Sequence, residues 1–131
     1  MRDIAVISCL AVGAFAFFGK VIFSADTLYG SDFIFYFYPT KRFIYDYFCA
    51  NGSIPFWNPY LLSGTPLIAN MQASMFYPLG FLYYLMPTGA AYLCSTLLHA
   101  MLGAVFMYLF VRSLGTSRSG AFLSGFIFAF N

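Results

Sequence analysis

Glutamate is absent from these 131 residues, and charge of either sign is scarce. Lys and Arg number six and Asp four, so charged residues make up 8% of the chain, where an ordinary soluble domain carries about 25%. A soluble fold of this size needs charged side chains to cover its surface. A bilayer tolerates a surface without them. The scattered basic residues form no stripe of the kind that holds nucleic acid, so nucleic acid is not an expected partner. Cysteine is equally sparse. Cys9 and Cys94 fall in apolar runs, where a thiol packs as a small hydrophobe, and Cys49 stands apart. No CxxC spacing and no disulfide framework is present. Walker, GxGxxG, HExxH and GxSxG patterns are missing too, so soluble nucleotide chemistry has no visible seat.

What is present is apolar and aromatic. Hydrophobic residues make up 62% of the chain and aromatics 23%, and the mean hydropathy is +0.81. Residues 4–23 form a first apolar run of roughly 20 residues, enough for a helix to cross a bilayer. Lys20 near its far end can snorkel to the interface. A cleaved signal peptide is the rival reading, because Phe23-Ser24-Ala25 loosely resembles a cleavage site. Against it, the run is longer than a usual signal core and only Arg2 precedes it.

Residues 24–74 differ in texture. They hold Asp26, Asp32, Lys41, Arg42 and Asp46, the single Trp57, and the turn signals Asn51-Gly52 and Ser63-Gly64. Residues 41–50 read as a short amphipathic helix with Phe43, Ile44, Tyr47 and Phe48 on one face. Arg42 and Asp46 are spaced there for an i,i+4 pair. Pro39 suits the first turn and Asn51-Gly52 the end. Such a helix can lie flat on a membrane. The two prolines in residues 53–60 predict irregular backbone. The segment is too aromatic for disorder and reads as a structured loop.

Residues 75–86 are apolar but too short to span, with Pro78 and Pro87 bracketing most of them. Residues 89–111 are long enough. A turn over 112–119 carries Arg112 and Arg118, and a third apolar run starts at 120 and is cut at 131. That short last run predicts that the chain is a piece of a longer protein. The positive-inside rule wants Arg2, Arg112 and Arg118 in the cytoplasm. Two crossings, 4–23 and 89–111, then suffice. Segment 75–87 becomes interfacial or re-entrant, and loop 24–74 lies outside the cell membrane. The expected class is an all-α, multi-pass integral membrane protein.

One set of residues is distinctive. It comprises Gly30-Ser31-Asp32, Tyr38-Pro39, the run from Asn51-Gly52 through Phe56-Trp57-Asn58-Pro59-Tyr60, Gly64-Thr65-Pro66, Ala69-Asn70-Met71-Gln72 and Phe76-Tyr77-Pro78-Leu79. With Leu114-Gly115-Thr116-Ser117-Arg118 and the Gly120 to Asn131 tail, this pattern resembles the YfhO-like family of bacterial membrane proteins. That family is similar to the GT-C glycosyltransferases, and the likeness runs along nearly the whole chain.

The resemblance implies transfer of a sugar from a polyprenyl-phosphate carrier to a cell-envelope acceptor on the outer face. It also implies an acidic residue in the first outer loop, acting as general base or holding a divalent cation; the matching position is Asp32. Desolvation among Phe33, Phe35, Tyr36 and Phe37 would raise the basicity of that carboxylate. Alternatively, Asp32 caps a helix starting at Phe33. Asp26 is the reserve acid or a turn residue, and Asp46 is the partner of Arg42. Lys41 and Arg42 are candidates for the carrier phosphate or for anionic headgroups. Trp57 is a sugar platform or an interfacial anchor. Asn58, Asn70 and Gln72 either bind sugar hydroxyls or satisfy the loop's own backbone. His99, deep in the second span, is either functional or bonded to a neighbouring helix. Two other readings compete with the enzyme. One is a non-enzymatic component that handles or flips a lipid-linked precursor. The other is a small membrane protein complete as given. If the chain is a piece of the enzyme, it is expected to be inactive alone, because the rest of the cavity is missing.

Overall fold

A computed structural model describes residues 2–23 and 31–130. They form two compact bodies, one built from residues 2–23 with 96–130 and the other from residues 31–95. Asp26, the reserve acid, lies outside the described residues. Among the described residues the fold is all-α apart from one ribbon of two two-residue strands.

The first body begins with α1 (Arg2–Phe17) and α2 (Gly19–Phe23). The expected single helix over residues 4–23 is therefore interrupted at Phe18. Its hydrogen bonding nevertheless carries through. The Phe18 amide donates to the Ala14 carbonyl at 3.1 Å and the Ile22 amide to the Phe18 carbonyl at 2.9 Å. A later helix, α5 (Thr88–Ser113), runs through both bodies, and α6 (Arg118–Phe130) closes the first. At 26 residues and a mean hydropathy of 1.8, α5 is long and apolar enough to cross a membrane. The apolar helices before and after it are shorter.

Small residues set the packing of this body. Leu10, Ala104, Tyr108 and Ala121 form its buried centre. Gly125 on α6 faces the backbone of α5 so closely that a Cβ would stand 2.7 Å from the Ala104 carbonyl oxygen and 3.3 Å from Leu10. Small side chains at this contact let the two backbones approach closely, which fills the interface with dispersion contacts. The turn between α5 and α6 is capped from both sides. The Gly115 amide, at φ 82°, donates to the Arg112 carbonyl, and Ser117 Oγ accepts the Gly120 amide at 3.2 Å. Cys9 is exposed on α1, against the expectation that it packs.

The second body contains most of the polar chemistry. It starts with a widened helical turn over Phe33–Phe37, which leads into α3 (Tyr38–Asn51). Pro39 explains the widening. It has no amide to give to the preceding turn, and its ring crowds the carbonyl four residues back. The helix is longer at both ends than the expected 41–50. It finishes where Asn51-Gly52 predicts, with Gly52 at φ 64° donating to the Phe48 carbonyl. The loop that follows contains a ribbon of two short antiparallel strands absent from the sequence expectation, β1 (Trp57–Asn58) and β2 (Thr65–Pro66). Residues 75–87 are not one helix. A 3₁₀ turn over Pro78–Phe81 passes into the single α-turn α4 (Leu82–Leu85), consistent with a segment too short to span. Ile44, Leu67, Ala73, Met75 and Tyr84 form the core, with Phe43, Phe48 and Ile54 packed on it. The expected apolar face of α3 is thus the one that is buried.

The Gly125 contact is with backbone, which cannot move aside as a side chain can. Gly125→Val is expected to destabilise the first body by about 1–3 kcal/mol through overpacking. Thermal unfolding in detergent measures it, and an unchanged midpoint would show that α5 and α6 are not in tight contact.

Candidate functional site

Phe33, Phe37 and Lys41 follow one another at four-residue steps, which places them along one side of the continuous helical path into α3. Together with Ser31, Asp32, Tyr83 on α4 and Tyr92 on α5, they line a cavity of about 410 Å³. Its walls are aromatic. Phe33 is buried and stacks on Tyr92 with ring centroids 3.9 Å apart and planes 24° apart.

Lys41 is the unusual member. It is 6% exposed, though it carries an amine. That amine donates to the Ala73 carbonyl and lies 4.6 Å from the centroid of the Tyr83 ring. The carbonyl accepts one of three ammonium hydrogens, and the ring face supplies negative quadrupole charge. These contacts do not fully replace water, and burial pulls the Lys41 pKa down to about 8. Burial, with Tyr92 nearby as a lesser cause, pushes the Tyr83 phenol up to about 12. At neutral pH the cavity therefore offers a cation short of solvation beside a neutral phenol. An anion entering it would recover that missing solvation for Lys41.

Asp32 reaches the same cavity but not as expected. It is exposed, so the desolvation expected from the neighbouring aromatics is absent. It is not a cap either. Its backbone is already helical (φ −64°, ψ −33°), and its side chain makes no capping hydrogen bond. A divalent cation held by the protein is a poor fit. Among the described residues no three His, Cys, Asp or Glu side chains gather, and one carboxylate is a thin ligand set for such an ion.

The other candidate residues separate. Arg42 is paired with Asp46 as its spacing predicts, Nε to carboxylate at 2.8 Å, and the Asp46 hydrogen bond raises its pKa further. It does not line the cavity, so of the two cations only Lys41 is placed to meet a ligand there. Asn58 is buried, and its Oδ1 accepts the Tyr60 amide at 2.9 Å. Asn70 accepts the Gln72 amide at 3.0 Å and donates to the Tyr36 hydroxyl at 2.5 Å. Both asparagines thus serve the loop's own structure, the alternative to sugar binding. Gln72 is exposed and enters the network through its backbone. Trp57 is half exposed and lines a second, uncharged cleft of about 810 Å³ with Phe43, Tyr47, Phe56 and Tyr60. His99 is exposed on α5.

Tyr83 and Tyr92 were not identifiable as cavity walls from sequence, since each reaches Lys41 or Phe33 only through tertiary packing. An ion cluster in the first body went unforeseen as well. Asp3 on α1 accepts from the Tyr108 hydroxyl at 2.6 Å and pairs with Arg118 at 3.2 Å and Arg112 at 3.5 Å. The Tyr108 bond first, and the Arg118 bond next, hold its carboxyl below the ordinary value.

The buried amine gives stability a pH dependence. The folded pKa of Lys41 lies near 8, below the ordinary 10.5. Between about pH 8 and 10 the unfolded chain keeps the proton that the folded chain has released, so stability rises with pH. Tyr83 acts in the opposite sense, and only above about pH 10, where the unfolded phenol ionises first. Unfolding midpoints in detergent from pH 7.5 to 10 are expected to rise for the parent chain and to lose that slope in Lys41→Met. An unaltered slope in the variant would assign the proton to another group.

No protein-family profile, no curated protein and no solved structure matches this chain.

Proposed function

We propose that the chain belongs to a YfhO-like, GT-C-type membrane glycosyltransferase that moves a sugar from a polyprenyl-phosphate carrier to a cell-envelope acceptor. The observation that carries the reading is the convergence of Asp32 and Lys41 on one aromatic-walled cavity. In this scheme Asp32 accepts the proton of the acceptor hydroxyl as its oxygen bonds to the anomeric carbon. The bond from that carbon to the phosphate oxygen breaks, and the electron pair leaves with the phosphate. Lys41, poorly solvated in the resting site, stabilises the charge that builds there. Phe33, Tyr83 and Tyr92 keep water away and offer flat faces to a sugar ring. No step needs a metal held by the protein.

The membrane arrangement has support from the first body. Asp3 bonds to Tyr108 and pairs with Arg112 and Arg118, so the start of α1 and the α5–α6 turn lie at the same end of that body. That suits a chain that crosses twice, through α1–α2 and through α5, with both ends of the excursion in the cytoplasm. The second body then belongs outside. Cysteines introduced at Ser53 and Thr116, in a background lacking the native three, are expected to label from opposite sides of sealed vesicles. Labelling from one side would remove the outer-face assignment.

A second reading keeps the ligand and drops the chemistry: a non-enzymatic component that handles or flips a lipid-linked precursor. The exposure of Asp32 favours it, because an open carboxylate gains little as a base. Asp32→Asn separates the two in the full-length protein. Under the enzyme reading, sugar transfer from the lipid carrier falls by about 10²–10⁴-fold with membrane insertion intact. Retained transfer, or a parent protein that binds the carrier without transferring, would leave the handling role.

A further inference from the structure

From residue 47 to residue 111 the chain contains no Asp, Glu, Lys or Arg. Most of the second body lies within this interval. Charge therefore does nothing to keep the surface of that stretch in water, and large apolar side chains stand open on it. Met71 is the most open, at 93% exposed, and the next two sit in the connection of the ribbon, where Trp57 pairs with Pro66 and Asn58 with Thr65. In the connection between the strands Tyr60 is 82% exposed and Leu62 is 84% exposed.

This display is imposed by the backbone. Leu62 and the next residue, Ser63, both have positive φ, 51° and 61°. Left-handed backbone is unfavourable for a residue with a Cβ, and two in succession are rarer still. The conformation is held from three directions. The Gly64 amide donates to the Leu61 carbonyl at 2.8 Å, the Asn58 side chain accepts the Tyr60 amide, and Gly64 lies against the Trp57 ring. A Cβ on Gly64 would come within 2.7 Å of that ring. The tip is thus a rigid, strained presentation of Leu62. Strain of this kind, observed rather than assumed, points to use.

We infer that the tip of this ribbon, residues 60–63, inserts into the phospholipid monolayer that α5 runs into. Three observations select lipid as the occupant. The surface carries no charge that a bilayer would have to desolvate. Tyr60 at the start of the tip and Trp57 beside it carry part-polar rings, which favour the headgroup level. The first two turns of α5 belong to the same body, so a spanning α5 holds that body against the membrane by chain continuity. The inference rests on α5 crossing a bilayer and is independent of the transfer reaction.

Trp57 is the only tryptophan in the chain and sits beside the tip, which makes it the reporter. The chain is reconstituted in phosphatidylcholine vesicles whose acyl chains are brominated near the headgroup, and Trp57→Phe supplies the blank. Quenching of Trp57 by the brominated lipid is expected, with protection from aqueous iodide. Leu62→Asn is the decisive variant, because asparagine accepts left-handed backbone and keeps the turn while removing the apolar side chain. Its thermal midpoint in detergent is expected to equal or exceed the parent's, and lipid quenching to fall by about half or more as the anchoring side chain is lost. Iodide access without lipid quenching in the parent would overturn the inference and leave a protein partner as the tip's occupant. Lipid quenching that Leu62→Asn does not alter would overturn it as well, by placing the contact elsewhere on the body.

Discussion

A buried amine holds the second body in its observed form. Lys41 reaches from α3 to the Ala73 carbonyl in the turn after the ribbon and to the Tyr83 ring on α4. Two other polar bridges join these segments, Asn70 to the Tyr36 hydroxyl and the Tyr84 hydroxyl to the Met75 carbonyl, and Lys41 is the charged one among them. Its contacts place the amine at the cavity wall, so the element that organises the loop is also the one with the most chemical potential. A residue that serves both purposes carries a cost. The charge is under-solvated whenever the cavity holds no anion, and the lowered pKa of about 8 reflects that cost. Structure and ligand affinity are in tension here, as they often are where a site is built in advance of its ligand.

Much of the architecture was legible in sequence. The end of α3 at Asn51-Gly52, the Arg42–Asp46 pair and the length of α5 follow from rules that act within a few residues, and such rules survive folding intact. The turn between α5 and α6 is of the same kind, with Ser117 capping the second helix. The break at Phe18 was not legible, because apolar composition measures affinity for lipid and says little about local helix geometry. The ribbon was hidden for a different reason. Its strands are two residues long, far below any periodic signal, and it exists because Asn58 and Gly64 fold the connection back.

The candidate site divides along the same line. Asp32 was singled out by the family resemblance and Lys41 by its charge, and the structure brings both to one cavity. Arg42 was singled out equally, yet one step along the helix turns it away to Asp46. The asparagines were ambiguous in sequence because an amide serves a ligand or a backbone equally well; in the structure Asn58 and Asn70 each accept a backbone amide, and Asn70 also donates to the Tyr36 hydroxyl. Tyr83 and Tyr92 emerged only from packing. A lone aromatic in an aromatic-rich chain carries no mark of the cavity it will line.

The Asp3 cluster bears on how the chain is made. Its acidic member lies in the first turn of α1, while its hydroxyl and both guanidinium partners lie more than 100 residues later. During synthesis the N-terminal helix is complete long before anything can neutralise that carboxylate. The whole of residues 27–95 emerges in between. The first body can therefore close only after residues 27–95 have been synthesised. Ordering of this kind makes Arg112 and Arg118 a late latch on the first body, and the second body has time to fold before that latch closes.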